Sequence, residues 1–522
     1  MSRPRIGRLV VVFAAFLFVV LLLQMASGAY RSEFGAYPDE PAHYVTSLMV
    51  REYVTGPQPI WPLKFAENYY AHYPKVAFGH WPPLFYVVQA GWMMLFSASR
   101  ASVRLELAFT TALLAFSVFI EAKRWFGERA GVLAGLFVVC LPLVQASTDE
   151  EMAEMLLVLT CFWSAAYFAR YLESERRKDA LWFAVFFSLA VLTKGSGWLL
   201  ALVPPVAALL AKRIRLLFRP AFGLAVALIA ACCLPWQLMT MQLAERGWTG
   251  GSHPNWQYTS KALVKFVAIM VASLGAVQAT LIAVGVLVAV LVPLVRCKRC
   301  EPWAAVMLAL ILSDWLFHSV VPAGVEDRKM IIAVPALALF LLAGGLALAD
   351  RIPATGILLE YRRALVTAAV AVAFFAHTFA IPRITHFGYV EAARFITLNP
   401  ALRQDTILAS SESLGEGLFI SEMAMRQPRP LAVIIRGTKA LADVDWIGSH
   451  YRARFTTTQQ LLQYIQQAHI GLVVTDDFPP IARFSHTKLL QEAMQQDSEH
   501  FHLVGTFSAP SSPGRVRVFE VR

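Results

Sequence analysis

Residues 9–23 read Leu-Val-Val-Val-Phe-Ala-Ala-Phe-Leu-Phe-Val-Val-Leu-Leu-Leu, and residues 37–44 read Tyr-Pro-Asp-Glu-Pro-Ala-His-Tyr. The first stretch, with its flanks, approaches the roughly 20 apolar residues that cross a bilayer core. Similar runs recur as far as Ile381, and 57% of the 522 residues are hydrophobic against 16% charged, outside the range of soluble globular domains. The chain therefore reads as a polytopic, all-α membrane protein, since in lipid a helix satisfies its own backbone polar groups. Charge at the edge of a span is costly, which makes Asp39 and Glu40 functional candidates from the outset.

The net charge of +11 is spread over short loops. These are Lys123-Arg124 with Arg129, Arg176-Arg177-Lys178, Lys212-Arg213 with Arg215 and Arg219, Arg296-Cys297-Lys298-Arg299, and Arg362-Arg363. Such a distribution belongs to membrane topology rather than to nucleic-acid binding. Arg3, Arg5 and Arg8 ahead of the first apolar run resemble a signal peptide, but the many later runs favour an uncleaved first helix. Cys140, Cys161, Cys232 and Cys233 lie in apolar runs. Cys297 and Cys300 form a lone C-x-x-C, without the second pair or histidine a zinc site needs.

If the basic loops and the N-terminus share the cytoplasmic side, an even number of crossings separates successive loops. Residues 81–96 are short, open with two prolines and carry Gln89 and Trp92, so they read as a helix at the outer interface. Crossings then follow at 105–120, 130–146, 152–171, 181–192, 198–210, 221–241, 276–295, 303–321, 330–348 and 364–381. With the first helix they make about eleven, placing the C-terminus outside. The same parity puts Asp39-Glu40, His80, Asp149-Glu150-Glu151, Lys194, the 246–261 loop and Glu326-Asp327-Arg328-Lys329 on the outer face.

The organisation expected is a transmembrane domain over residues 1–382, with an outer loop at about 27–104, and a small soluble α/β domain over 383–522. In that tail, β-rich runs at 406–409, 431–435, 472–475, 503–507 and 516–521 alternate with amphipathic stretches such as 457–467. It has no G-x-G-x-x-G and no P-loop, so its expected role is accessory.

Five motifs come in order: Tyr37–Tyr44 with Arg51-Glu52-Tyr53-Val54-Thr55-Gly56; His80-Trp81-Pro82-Pro83-Leu84-Phe85-Tyr86; Lys123-Arg124-Trp125-Phe126-Gly127-Glu128-Arg129-Ala130-Gly131; Thr148-Asp149-Glu150; and Leu192-Thr193-Lys194-Gly195. Together they resemble the GT-C membrane glycosyltransferases, the superfamily of the protein O-mannosyltransferases and the lipid A aminoarabinose transferase. The resemblance is detailed over the first 200 residues and elsewhere rests on helix layout. It implies a GT-C fold and an inverting sugar transfer, hexosyl or pentosyl, from a polyprenyl-phosphate donor to a lipid, glycan or protein hydroxyl. It also implies a site on the outer side of the membrane, here the bacterial inner membrane, with a first-loop acid serving the acceptor. Two departures stand out. Three acids occupy the second outer loop where the family usually has one, and Trp81 interrupts the histidine-Pro-Pro segment.

The chemistry asks for the same groups. Transfer to a hydroxyl needs a base, whereas a phosphate leaves as a stable anion if cations hold it. One working carboxylate with basic groups is therefore enough, unlike the two flanking carboxylates of a glycoside hydrolase. The candidates are Asp39 as base, Glu40, Asp149 and Glu150 to position the acceptor, and Lys75, His80, Lys194, Arg328 and Lys329 for the donor phosphate. Each has a plainer explanation. Asp39 could be an N-cap, Glu40 a first-turn acid, His80 the end of an extended segment, Asp149-Glu150 a solvated helix start, and Lys194 a snorkelling side chain. Arg328-Lys329 at a helix start calls for a local anion. Asp39, Asp149 and Glu150 could also ligate Mg²⁺ or Ca²⁺ if their loops converged. The rival function is transport or flipping of a lipid-linked sugar, for which Asp314 and His318, one turn apart inside a span, are the relevant pair.

Overall fold

The computed structural model describes residues 3–56, 60–77, 79–247, 254–353, 357–378, 380–382, 386–444, 451–478, 484–509 and 514–522. The middle of the polar 246–261 loop and residues 383–385 at the expected domain boundary lie outside the described residues. Among the described residues, seven helices have the length and composition to cross a membrane: Ile6–Ser27, Arg100–Phe126, Glu154–Ser174, Pro220–Met241, Ala276–Val295, Pro302–Val320 and Asp327–Arg351. Glu128–Cys140 and Pro142–Asp149 meet the same measure only as a pair bent by 60°, a broken span or a re-entrant loop. The break falls at Pro142, which lacks the N–H needed to continue the ladder and instead opens the second piece.

About eleven crossings were expected, against seven or eight by this measure. The other three have helical counterparts that do not meet this measure. The 181–192 run is helix Arg177–Thr193, of 17 residues. The 198–210 run divides into the 3₁₀ segment Gly195–Leu202 and helix Val203–Leu210. The 364–381 run falls in Ile357–Thr378.

Helix Trp256–Leu274 was not expected from hydropathy, because its polar face carries Lys261 and Lys265. Its buried face, Ala262, Phe266, Met270 and Leu274, repeats every four residues. The 81–96 segment forms Leu84–Leu95, of 12 residues. At 1.5 Å per residue it is about 18 Å long, too short to span. It buries Phe85, Tyr86, Gln89, Ala90 and Met93, while Val87, Val88, Met94 and Leu95 stay exposed.

Helix packing relies on glycine at one crossing. A Cβ on Gly344 would lie 1.9 Å from the Leu281 carbonyl oxygen, and one on Gly285 would lie 2.1 Å from that of Phe340. The two backbones touch there, and such close contact supplies the van der Waals attraction that replaces a hydrophobic drive between helices in lipid.

The tail folds as its alternation predicts. Its strands are β1 (Thr406–Ser410), β2 (Val433–Arg436), β3 (Ala442–Asp443), β4 (Arg452–Ala453), β5 (Ile470–Asp476), β6 (Phe501–Phe507) and β7 (Val516–Val521). Five form a mixed sheet in the order β2-β1-β5-β7-β6, parallel from β2 to β5 and antiparallel beyond, and β3 pairs with β4. Thr458–Gln467 and Ser485–Gln496 cover one face through Leu461, Ile465 and Leu490. On the other face, Tyr389–Leu398 and Ser413–Arg426 share a core with helix Glu40–Thr55, where Tyr44, Val45 and Leu48 meet Phe419, Ile420 and Met423. The sheet region is thus packed onto the 27–104 loop. Polar ties reinforce the seam. The buried Glu33 carboxylate accepts the N–H groups of Phe387 (2.7 Å), Gly388 (3.1 Å) and Val390 (2.9 Å), and Arg100 pairs with Glu422.

Candidate active site

Asp39 stands at the entrance to helix Glu40–Thr55, yet its side chain makes no capping hydrogen bond. Only its carbonyl serves the helix, accepting His43 N–H at 2.9 Å. The residue lines a cavity of about 640 Å³ with Lys75 and His80, closed on the far side by Ser413, Arg436 and Lys439 of the sheet region. Lys75 is 8% exposed and donates to the Ser413 carbonyl at 3.2 Å. Burial, with Arg436 nearby, pulls its pKa down to about 7.

Glu40 has a different task. Its Oε1 accepts the N–H groups of Ala36 (2.7 Å) and Tyr37 (3.2 Å). Its Oε2 accepts Glu151 N–H (2.7 Å) and Arg104 Nη2 (3.3 Å). Fully buried, with both oxygens engaged twice, it ties the first loop to the break between Pro142–Asp149 and Glu154–Ser174. Leaving such a carboxylate unpaired would be strongly unfavourable.

The acidic triple does not begin a helix in solvent. Asp149 ends one helix and is 3% exposed, beside Ser27 and Arg104. Glu150 follows it and faces Arg328; burial, then Glu40 and Glu154, raises its pKa to about 8. Glu151 is buried, and the Gln89 amide donates to it and to Glu106, the latter at 3.0 Å.

The cations divide into two groups. Lys194 Nζ lies 2.5 Å from Glu154 Oε1, so its side chain is ion-paired rather than simply snorkelling. Arg328 lies 3.8 Å from the same oxygen, 2.5 Å from Glu326, and 4.2 Å above the Tyr37 ring. Lys329 is within Coulomb reach of Lys194, Arg328 and Glu154. These three are absent from the lining of the Asp39 cavity, which holds Lys75 and His80 instead. The five basic residues expected from sequence therefore fall into two groups. Within Coulomb reach of the second group sits His43, stacked on Trp81 at 4.3 Å and bonded through Nδ1 to Tyr86 OH at 2.9 Å. Burial lowers its pKa to about 3, so it is neutral near pH 7.

Among the described residues, Asp39, Asp149 and Glu150 do not bring three ligand atoms within 4.8 Å of one another. The group that does is Glu33, His386 and Glu391 at the seam, where Glu33 already serves three backbone N–H groups. Cys297 is exposed, while Cys300 is buried with its Sγ 3.1 Å from the Leu210 carbonyl oxygen. Asp314 and His318 bond to each other at 2.9 Å, and Asp314 Oδ2 accepts Ala333 N–H at 2.9 Å. That pair braces the 3₁₀ segment Asp327–Ala333, which carries Arg328 and Lys329.

Sequence reasoning missed Glu154, Arg104, His43 and Arg436. Glu154 carried a usable signal, being a carboxylate inside an expected span. Arg436, on a strand distant in sequence, carried none.

Residues 80–238 match the family described as dolichyl-phosphate-mannose-protein mannosyltransferase. Over nearly its whole length the chain superposes on ArnT from Cupriavidus metallidurans bound to undecaprenyl phosphate. The TM-score is 0.60 at 14% identity, covering 98% of this chain and 97% of that one. The chain shares the GT-C fold of that structure. Another GT-C structure, the oligosaccharyltransferase AglB from Archaeoglobus fulgidus in complex with an inhibitory peptide and a dolichol-phosphate, matches at a TM-score of 0.55 and 12% identity, covering 100% of this chain and 75% of that one. The mycobacterial arabinofuranosyltransferase AftD matches at 0.50 and 13% identity, with this chain fully covered but only 40% of AftD. No curated protein sequence matches the chain.

Proposed function

We propose that this GT-C chain transfers a monosaccharide, hexosyl or pentosyl, from a polyprenyl-phosphate donor to the hydroxyl of a lipid, glycan or protein acceptor. The site would face the periplasm from the bacterial inner membrane, with residues 383–522 as an accessory domain roofing it. The observation that carries this reading is Asp39, a carboxylate that makes no capping bond and lines a cavity between the first loop and the sheet region. Undecaprenyl phosphate bound to ArnT and dolichol-phosphate bound to AglB support the donor class.

In this mechanism Asp39 accepts the proton of the acceptor hydroxyl as its oxygen attacks the anomeric carbon. The bond from that carbon to the phosphate oxygen breaks, the configuration inverts, and lipid phosphate departs as an anion. Lys194, Arg328 and Lys329 hold that anion, and Glu154 holds two of them in place. Glu40 positions Asp39 by fixing its loop, while Asp149 and Glu150 shape the adjoining wall. Transport of a lipid-linked sugar is disfavoured because Asp314 and His318 are committed to each other and to the Ala333 backbone.

The test is release of lipid phosphate from a panel of labelled polyprenyl-phosphate sugars, with crude membrane lipids and glycans as acceptors. Wild type should release it and Asp39→Asn should not. Equal release by that variant, or label crossing proteoliposomes without release, would reject the assignment.

A further inference from the structure

The cavity beside Asp39 is walled by cations that the donor-phosphate cluster does not include. Lys75 reaches it from the first loop, Arg436 and Lys439 from the sheet region. Arg436 is held by the buried Glu416, Nε to Oε2 at 2.8 Å. The same carboxylate accepts Thr438 N–H at 2.7 Å and Thr438 Oγ1–H at 2.5 Å. Glu416 therefore fixes the direction of Arg436 from behind. Lys75 has the Ser413 carbonyl (3.2 Å) and hydroxyl (3.5 Å) as hydrogen-bond partners, and no carboxylate in ion-pair contact among the described residues. An ammonium so enclosed, facing a second cation, is held at a cost that a bound anion would remove.

We propose that this cavity is the acceptor subsite and selects an acceptor bearing an anionic group, phosphate or carboxylate, gripped by Lys75, Arg436 and Lys439 so that its hydroxyl meets Asp39. The sheet region then contributes directly to substrate choice. This rests on the transferase reading above, and deepens it by naming the acceptor's charge.

The experiment reads Lys75 itself, so it does not depend on turnover. Full-length protein in nanodiscs is pulse-labelled with acetic anhydride at a series of pH values, and acetylation of Lys75 is followed by mass spectrometry. The groups that bear on Lys75 are Asp39, Glu416, Arg436 and Lys439, with His80 and Glu67 also in the cavity wall. Inorganic pyrophosphate, compared with chloride at equal ionic strength, should slow labelling of Lys75 at least tenfold at pH 7 and shift its titration upward. Lys439→Gln, which leaves the Glu416–Arg436 pair intact, should weaken that protection about tenfold, and Arg436→Gln should weaken it further. Undecaprenyl phosphate in the nanodisc should not protect. Protection by the lipid phosphate would make this the donor site, and no protection by either probe would mean no anion site; each overturns the proposal. Failure of every donor to turn over would reject the transferase reading while leaving the pyrophosphate result to stand or fall separately.

Discussion

The Glu154 cluster and the Asp39 cavity are two charged regions built in different ways. The Glu154–Lys194–Arg328 cluster stands on helix ends, its cations already paired with carboxylates at 2.5 to 3.8 Å. The Asp39–Lys75–Arg436 cavity lies between a loop and the sheet region, with Asp39 making no hydrogen bond or ion pair through its carboxylate among the described residues. The first region resembles a preformed grip, rigid before any ligand arrives. In the second, Arg436 is held from behind by Glu416, while Asp39 and Lys75 have no ion-pair partner of their own among the described residues. A transferase that brings together a lipid donor and a separate acceptor needs both.

The largest effect should come from the unpaired acid. Asp39→Asn should lower kcat by about 10²–10⁴-fold, with thermal stability unchanged because no capping bond is lost. A stability loss accompanying the rate loss would make Asp39 structural and erase the contrast with Glu40. Next is Glu154→Gln. It leaves Lys194 and Arg328 without their shared carboxylate, and breaking such a buried pair costs about 3–5 kcal/mol. A denaturation midpoint that did not fall would show that the cluster is not preformed.

Glu40→Gln should be intermediate. The amide keeps one acceptor oxygen but opposes N–H donors with its own NH₂, so the loop loosens and kcat falls about 10–100-fold, by analogy with supporting contacts around other sites. A positioning role predicts an unchanged pH profile, whereas a shifted profile would make Glu40 the base. The smallest effect concerns Lys75. Its folded pKa, about 7, lies below the ordinary 10.5, so the unfolded chain binds more protons between these values. Stability should therefore rise with pH across that window. Lys75→Met should flatten this rise and raise the melting temperature at pH 7, while acceptor KM increases. In the wild type, acceptor KM should climb as pH rises through 7, provided the anion grip exists.

Much of the fold was legible in the sequence because its signals are local. Strand β7 falls at 516–521 as its alternation indicates, and the amphipathic run at 457–467 became Thr458–Gln467. Helix Trp256–Leu274 was not legible, because a hydropathy window averages its two lysines into its apolar face. The plainer reading of Asp149-Glu150 as a solvated helix start was not legible as wrong, because only packing buries Asp149 and half-buries Glu150 at a helix break.

By itself, the sequence determined that the chain is mostly helical, with apolar helices long enough to cross a membrane and a sheet region near its end. Hydropathy, period and loop charge are properties of neighbouring residues, and they survive without coordinates. Only the tertiary structure decided that Glu40 is a tie, that Lys75 lines the Asp39 cavity while Lys194 pairs with Glu154, and that Arg436 joins Asp39 across nearly 400 residues of chain. Those assignments depend on which donors and acceptors meet in low dielectric, and hydrogen bonds formed at 3 Å leave no periodic trace in the order of residues.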